Sequence, residues 1–457
     1  MSLDFLSDYT RSVQVKFGND TESFNLIPDT NLNQIIVLKD KCFGCYSLGD
    51  THRYTPQCSE GISNMTVSTE VDFFYQLHAY ETTLNSTQFE EKACLNLDGN
   101  FDTCTNLVVL GGERATPRAL FLKGNGFLGL GVGETMVGNE TKKLSALDQF
   151  HERGIIQKKV FGVDTQVHND TDISSSIRFG DIRTDTLPEN HELVYIPTET
   201  SDSWAVTLQR LDFHGQDILG APSRAIISPG FPFIAAPVDE FTKFKDSLKA
   251  AHPDTNLVCT RYDWCYFIDE CENIHKKVDP MTFYLGSGSQ QMNITVPINQ
   301  VTVPDRDWNT NLTLCHLGIV GQKWHATFDQ WVLGEDFMEN NYVAFDASDP
   351  QRLQIGIASE MAPSTDGGSA LKLIAIVTAV ALSIVILGLG LWCFCKARRT
   401  RRAKEKLEFF QAQHRMAQDG ADGSTTDLDG PNAHLNPDGA HDDEDDPSNQ
   451  ELRLGNM

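Results

Sequence analysis

Asp29 and Ser228 sit in corresponding places of two similar stretches, and the chemistry open to this chain turns on the difference between them. In NLIPDTNLNQIIVL, residues 25–38, Asp29 and Thr30 belong to the cluster Pro28-Asp29-Thr30-Asn31 between two apolar runs. The pattern reads as strand, turn, strand. A carboxylate held in such a turn can do general acid–base work if a second carboxylate faces it. Without one, a turn aspartate ordinarily accepts hydrogen bonds that shape its own backbone. A weak internal repeat shows where a partner should lie. In the first half, Gly129 of GFLGLG follows Asp29 by 100 residues. In the second, AIISPGFPFIAAP is followed by WVLGED, with Gly334 106 residues after Ser228.

The elements that must hold these turns are mostly strands. From about Ser12 to Ser359 the chain consists of short alternating or apolar runs broken by Gly, Pro, Asn and Asp, such as SVQVKFG, SWAVTLQRLDFHG, MNITVPI and YVAFD. Period-two runs of this kind read as strands. Two segments, LSALDQFHERG and VDEFTKFKDSLKAAH, have a helical pattern. A mostly β region of this length exceeds a single simple sandwich.

These features together resemble the pepsin-like aspartic peptidases. GFLGLGVG with LSALDQFHERGIIQKKVFGVD, IRFGDI, SWAVTLQRLDFHG and WVLGEDFMENNYVAFDASDPQRLQIGIAS are similar in order and spacing to segments of that family. The resemblance implies an all-β, bilobal fold with pseudo-twofold lobes, the first over residues 12–185 and the second over 186–359. It implies an extended peptide or protein segment as partner in the interlobe cleft. In the family, two aspartates share one proton across the lobe interface. Like charges that close cannot both ionise, so one activates water while the other polarises the peptide carbonyl.

Carried onto this chain, Asp29 and Thr30 match the first Asp-Thr, and Asn31 stands in place of Gly. In the second turn Ser228 replaces the aspartate, Pro229 replaces the threonine, and Gly230 is kept. Ser228 has no useful acidity, and Pro229 has neither hydroxyl nor N–H. Asn31 tolerates a left-handed backbone, so the first turn is expected to survive. The nearest downstream acids, Asp239 and Glu240, are expected to start a helix that points away. The resemblance offers Tyr75 or Tyr80 as the flap tyrosine, but the neighbouring glycines are absent; the residues favour two tyrosines on a half-buried strand over a working flap. The resemblance also implies a disulfide between Cys259 and Cys315. Cys94 with Cys104, and Cys265 with Cys271, are spaced to close local loops, and Cys42, Cys45 and Cys58 leave one thiol unmatched. No cofactor and no metal site is expected.

The rest of the chain points to a membrane. Residues 373–395, LIAIVTAVALSIVILGLGLWCFC, are 23 residues without a charge, enough for a helix to cross a hydrocarbon core of about 30 Å. KARRTRRAKEK follows, with seven basic residues, which sets that end in the cytoplasm. The acceptor sites Asn19, Asn64, Asn85, Asn139, Asn169, Asn293 and Asn311 all precede the apolar segment, as expected for an extracellular or lumenal domain. Nine of the eleven cysteines precede it too, which suits an oxidising compartment. MSLDFLSDYT has neither the basic start nor the apolar run of a signal peptide, so the natural beginning is expected to be missing.

Residues 360–372 read as a polar linker and 396–457 as a cytoplasmic tail. The tail is first basic and then rich in acids, with eleven Asp or Glu and one Arg from Asp419 onward, a composition that buries no core. The net charge of −26 repels phosphates and argues against nucleic acid as a partner. The expected function is peptide binding by a single-pass type I glycoprotein whose dyad is broken. An active endopeptidase with an unidentified second acid and a surface-coat or adhesion protein are the alternatives.

Overall fold

The computed structural model describes most of residues 4–360. Within that span residues 7–9, 19–21, 48–52, 56–65, 76–77, 98–99, 117–119, 123, 138–139, 166–174, 185–186, 188–190, 261–262, 307–312, 322–329 and 340 lie outside the description, as do residues 1–3 and everything from 361 on. The linker, the apolar segment 373–395 and the tail are therefore outside the described residues. Among those described, no helix is long and apolar enough to cross a membrane.

Two eight-stranded sheets carry the two turns. The first runs in the order Asp4–Leu6, Thr10–Phe17, Phe24–Asp29, Gly126–Gly129, Ile35–Phe43, Asn100–Thr116, His78–Leu97, Thr66–Tyr75. The second contains, in order, Met292–Val296, Met281–Leu285, Ala205–Phe213, Ser223–Ile227, Gln330–Leu333, Ile234–Ala236 and Ile319–Gly321. Sequence pattern and burial agree in the strands around the two turns. MNITV alternates buried and exposed residues and forms a margin. GFLG, IAA and IVG are buried throughout, as unbroken apolar runs should be when both faces are covered.

A five-stranded sheet joins the halves, in the order Ser176–Phe179, Val160–Asp164, Tyr342–Asp346, Gln354–Glu360, His191–Pro197. It draws on strands from both sides of residue 185, so a cut there divides it. Phe161 stacks on Phe345 at 4.4 Å, and Trp204 meets both edge-on. The Trp204 indole N–H donates to the carbonyl of Leu130 at 2.8 Å, tying this shared core to the loop just past Gly129.

Four α-helices are described. α1 (Ala146–Glu152) and α2 (Val238–Ala251) are the two expected from the pattern. α1 is capped by Ser145, whose hydroxyl accepts from the Asp148 N–H. α3 (Cys271–His275) and α4 (Glu335–Met338) are too short to show a helical period in the sequence.

The second-lobe disulfides correct the expected pairing. Cys259 is bonded to Cys265, and Cys315 to Cys271. The reason lies in the register. Cys259 and Cys265 are direct partners on the antiparallel strands Leu257–Cys259 and Cys265–Phe267, and cross-strand neighbours are close enough to bridge. Cys315 lies beside Phe267 on the next strand, where Cys271 at the start of α3 reaches it. Cys94 and Cys104 are bonded as expected, again as cross-strand partners. Cys42 is bonded to Cys45 across the turn at Gly44; Cys58 lies outside the described residues.

Candidate functional site

Asp29 is the last residue of Phe24–Asp29. Its strand runs parallel to Gly126–Gly129, with Gly129 level with Asp29. The second lobe repeats this. Ser223–Ile227 runs parallel to Gln330–Leu333, with Ile227 level with Leu333. The Leu130 N–H donates to the Asp29 carbonyl at 2.7 Å, and the Ser228 N–H to the Leu333 carbonyl at 3.0 Å. Both repeat glycines are fixed by close backbone approach. A Cβ on Gly129 would lie 2.2 Å from the Gln34 carbonyl oxygen, and one on Gly334 2.1 Å from that of Phe231. Real Cβ atoms do not come that near, so both positions demand glycine.

The two turns meet face to face. The Thr30 hydroxyl donates to the Ile227 carbonyl across the interface at 2.7 Å. Pro229 has no donor to return. Gly230 presses on the first turn, where a Cβ would sit 2.3 Å from the Pro28 carbonyl oxygen. Asn31 is not among the residues with positive φ. The turn closes instead because the Asn31 N–H donates to Asp29 Oδ1 at 2.8 Å, so the left-handed tolerance expected of Asn31 is not used.

Ser228 faces Asp29. Its Oγ lies 3.5 Å from Asp29 Oδ1, and both residues are buried. Burial raises Asp29 to about 6. The N–H of Asn31, the Ser228 hydroxyl and the N–H of Leu32 oppose the rise. No second carboxyl is among the groups acting on it. Glu240, in the first turn of α2, is engaged elsewhere by the Trp331 indole and Ser223. The arrangement offers one acid with a hydroxyl neighbour. It can donate or accept a hydrogen bond according to pH, but Ser228 cannot share its proton as a second carboxyl would.

A cavity of about 400 Å³ opens beside the first turn, lined in part by Asn31, Asn33, Gln34, Ser68, Thr135 and Met136. It mixes apolar walls with amide and hydroxyl groups. Strands Thr66–Tyr75 and His78–Leu97 form an antiparallel hairpin with Tyr75 opposite His78. The side chains of Tyr75 and Tyr80 lie outside the described residues. Of the acceptor asparagines, Asn293 is exposed and Asn85 is half-buried, accepting from the Ser68 hydroxyl; Asn19, Asn64, Asn139, Asn169 and Asn311 lie outside the described residues.

Sequence reasoning missed a buried acid cluster immediately after Gly334. Glu335 pairs with Arg11, accepting from its backbone N–H at 3.1 Å and from its Nε at 3.0 Å. Burial nevertheless pushes Glu335 up to about 8, Glu339 up to about 7 and Asp336 well above the carboxylate range. Two acids directly after a buried apolar run were the available signal.

The family model described as eukaryotic aspartyl protease matches residues 12–360. Among solved structures, the crystal structure of aspartic proteinase from Irpex lacteus superimposes with a TM-score of 0.57 at 16% identity, covering 80% of this chain and 98% of that one. At that identity the likeness concerns the fold alone. No curated protein matches the chain.

Proposed function

The chain belongs to the eukaryotic aspartyl protease family, and from that membership we propose that its pepsin-like domain binds an extended peptide or protein segment between the lobes without hydrolysing it. One observation carries the proposal: the group 3.5 Å from Asp29 is the hydroxyl of Ser228. Peptide hydrolysis at such a site needs one acid to activate water and another to polarise the carbonyl. Removing one such group costs about 10²- to 10⁴-fold in rate. The binding apparatus is affected far less. The cavity beside Asn31 offers hydrogen-bonding groups, and an extended peptide can add backbone bonds in the manner of an extra strand.

The domain is proposed to face the outside or a lumen, anchored by residues 373–395 with the basic end in the cytoplasm. The uncharged 23-residue run, the seven basic residues after it and the placement of all acceptor asparagines before it support this orientation.

The test uses the full chain in detergent, offered a peptide library and an unfolded protein at acid pH. Expected are retained peptides and no new termini, with Asp29→Asn indistinguishable from wild type in the cleavage arm. Asn31→Trp keeps the backbone N–H but fills the cavity mouth, and should abolish retention. Cleavage that disappears in Asp29→Asn would restore the active endopeptidase. Retention unaffected by Asn31→Trp would move binding to the outer face.

A further inference from the structure

Away from the paired turns, the second lobe brings together three residues that are far apart in the chain. His214 is at the tip of the hairpin after Ala205–Phe213, where Phe213 pairs with Gln216. His252 caps the C-terminus of α2. Asp279 lies two residues before Met281, which is paired with Phe213, so the register sets it beside the hairpin tip. His214 Nδ1 is 2.5 Å from Asp279 Oδ2, and His252 Nε2 is 3.7 Å from the same oxygen. The three ligand atoms all lie within 4.8 Å of one another.

We infer that His214, His252 and Asp279 form a binding site for a divalent transition-metal ion of the zinc type. A His–Asp hydrogen bond alone would account for His214 and Asp279. It leaves the Nε2 of His252 at 3.7 Å from the same carboxylate oxygen, too far for a hydrogen bond. That side chain is only 10% exposed, and its Nε2 has no hydrogen-bond partner among the described residues. Leaving a buried ring nitrogen unbonded is costly, and a metal ion would satisfy it.

The backbone at His214 points the same way. Its φ is 51° and that of Gly215 is 75°, the conformation of a two-residue turn in which Asn-Gly is the ordinary choice. Histidine is tolerated there, and its presence delivers an imidazole next to Asp279. Two imidazole nitrogens and one carboxylate oxygen suit zinc better than calcium or magnesium, which prefer all-oxygen shells. A tetrahedral ion with bonds of about 2.0–2.1 Å keeps its ligands about 3.3 Å apart, so the pair at 2.5 Å would open by about 0.8 Å, the pair at 3.7 Å would close by about 0.4 Å, and the two imidazoles, within 4.8 Å, would close by at most about 1.5 Å. His214 and Asp279 are half-exposed, leaving the fourth position to water. The bound ion would clamp the end of α2 to the hairpin and to the strand Met281–Leu285.

The experiment compares the full chain in detergent with His214→Asn and Asp279→Asn, all stripped by chelator. Asn keeps the left-handed turn, and unchanged melting of the metal-free forms establishes that both variants are folded. After dialysis against Zn²⁺ at neutral pH, bound metal is counted. Wild type should hold one equivalent more than either variant, show tetrahedral Co²⁺ absorption that both variants lack, and alone gain melting temperature with Zn²⁺. Equal zinc counts in all three forms, or an identical Co²⁺ spectrum, would overturn the assignment.

Discussion

At the residue scale, the two turns depart from the pattern of a proton-sharing acid pair at Asn31, Ser228 and Pro229, and the missing acid is at Ser228. The scaffold around them is retained: Thr30 still donates to Ile227, and Ser228 Oγ is within 3.5 Å of Asp29 Oδ1. Ser228→Asp would set a carboxyl where like-charge repulsion forces two acids to share one proton. Pro229→Thr would supply a hydroxyl to the Pro28 carbonyl, mirroring the bond that Thr30 makes. The double variant is expected to cut an unfolded protein at acid pH at least about 10²-fold faster than wild type, read from new amino termini. A folded double variant with no gain would mean that more than the missing acid separates this site from catalysis.

At the element scale, the site depends on two parallel strand pairs that repeat one geometry. Each brings a turn residue level with a strand that ends in Leu-Gly or Leu followed by Gly. Gly129→Ala would force a methyl group to within 2.2 Å of the Gln34 carbonyl. That is backbone, and it cannot rotate aside. The expected loss exceeds about 2 kcal/mol, measured by denaturant unfolding, against about 1–2 kcal/mol for Gly154→Ala beyond α1, where no atom lies within 4 Å and only the left-handed φ opposes the side chain. The repeat of Asp29–Gly129 against Ser228–Gly334 was readable because close approach restricts residue type. The second-lobe disulfide partners were not, because cross-strand register depends on which strands pair, and residue order alone does not register strands.

At the scale of the whole molecule, buried acids tie stability to pH. Glu335 stands at about 8, Glu339 at about 7 and Asp29 at about 6, each above its ordinary value of 4.5, 4.5 and 3.8. Between those limits the folded state binds more protons than the unfolded one, so stability increases as pH falls from about 8 towards about 4. The melting temperature should therefore be higher near pH 5 than at pH 8; a fall on acidification would contradict this. Asp29→Asn, which cannot ionise, is expected to be more stable than wild type at pH 7.5 by about 2–3 kcal/mol, and to lose that advantage below about pH 4.

Composition, alternation and the spaced turns were enough to determine a β-rich, twice-repeated chain in which Ser228 corresponds to Asp29, because those are properties of residue type and order; that an aspartate would be expected at Ser228 came from the family resemblance. Only the tertiary structure decided that Ser228 faces Asp29, that Cys259 bonds Cys265, that Glu335 is buried against Arg11, and that two histidines meet Asp279. Each depends on residues distant in sequence becoming neighbours, and burial and register, not local pattern, set their distances and their charge.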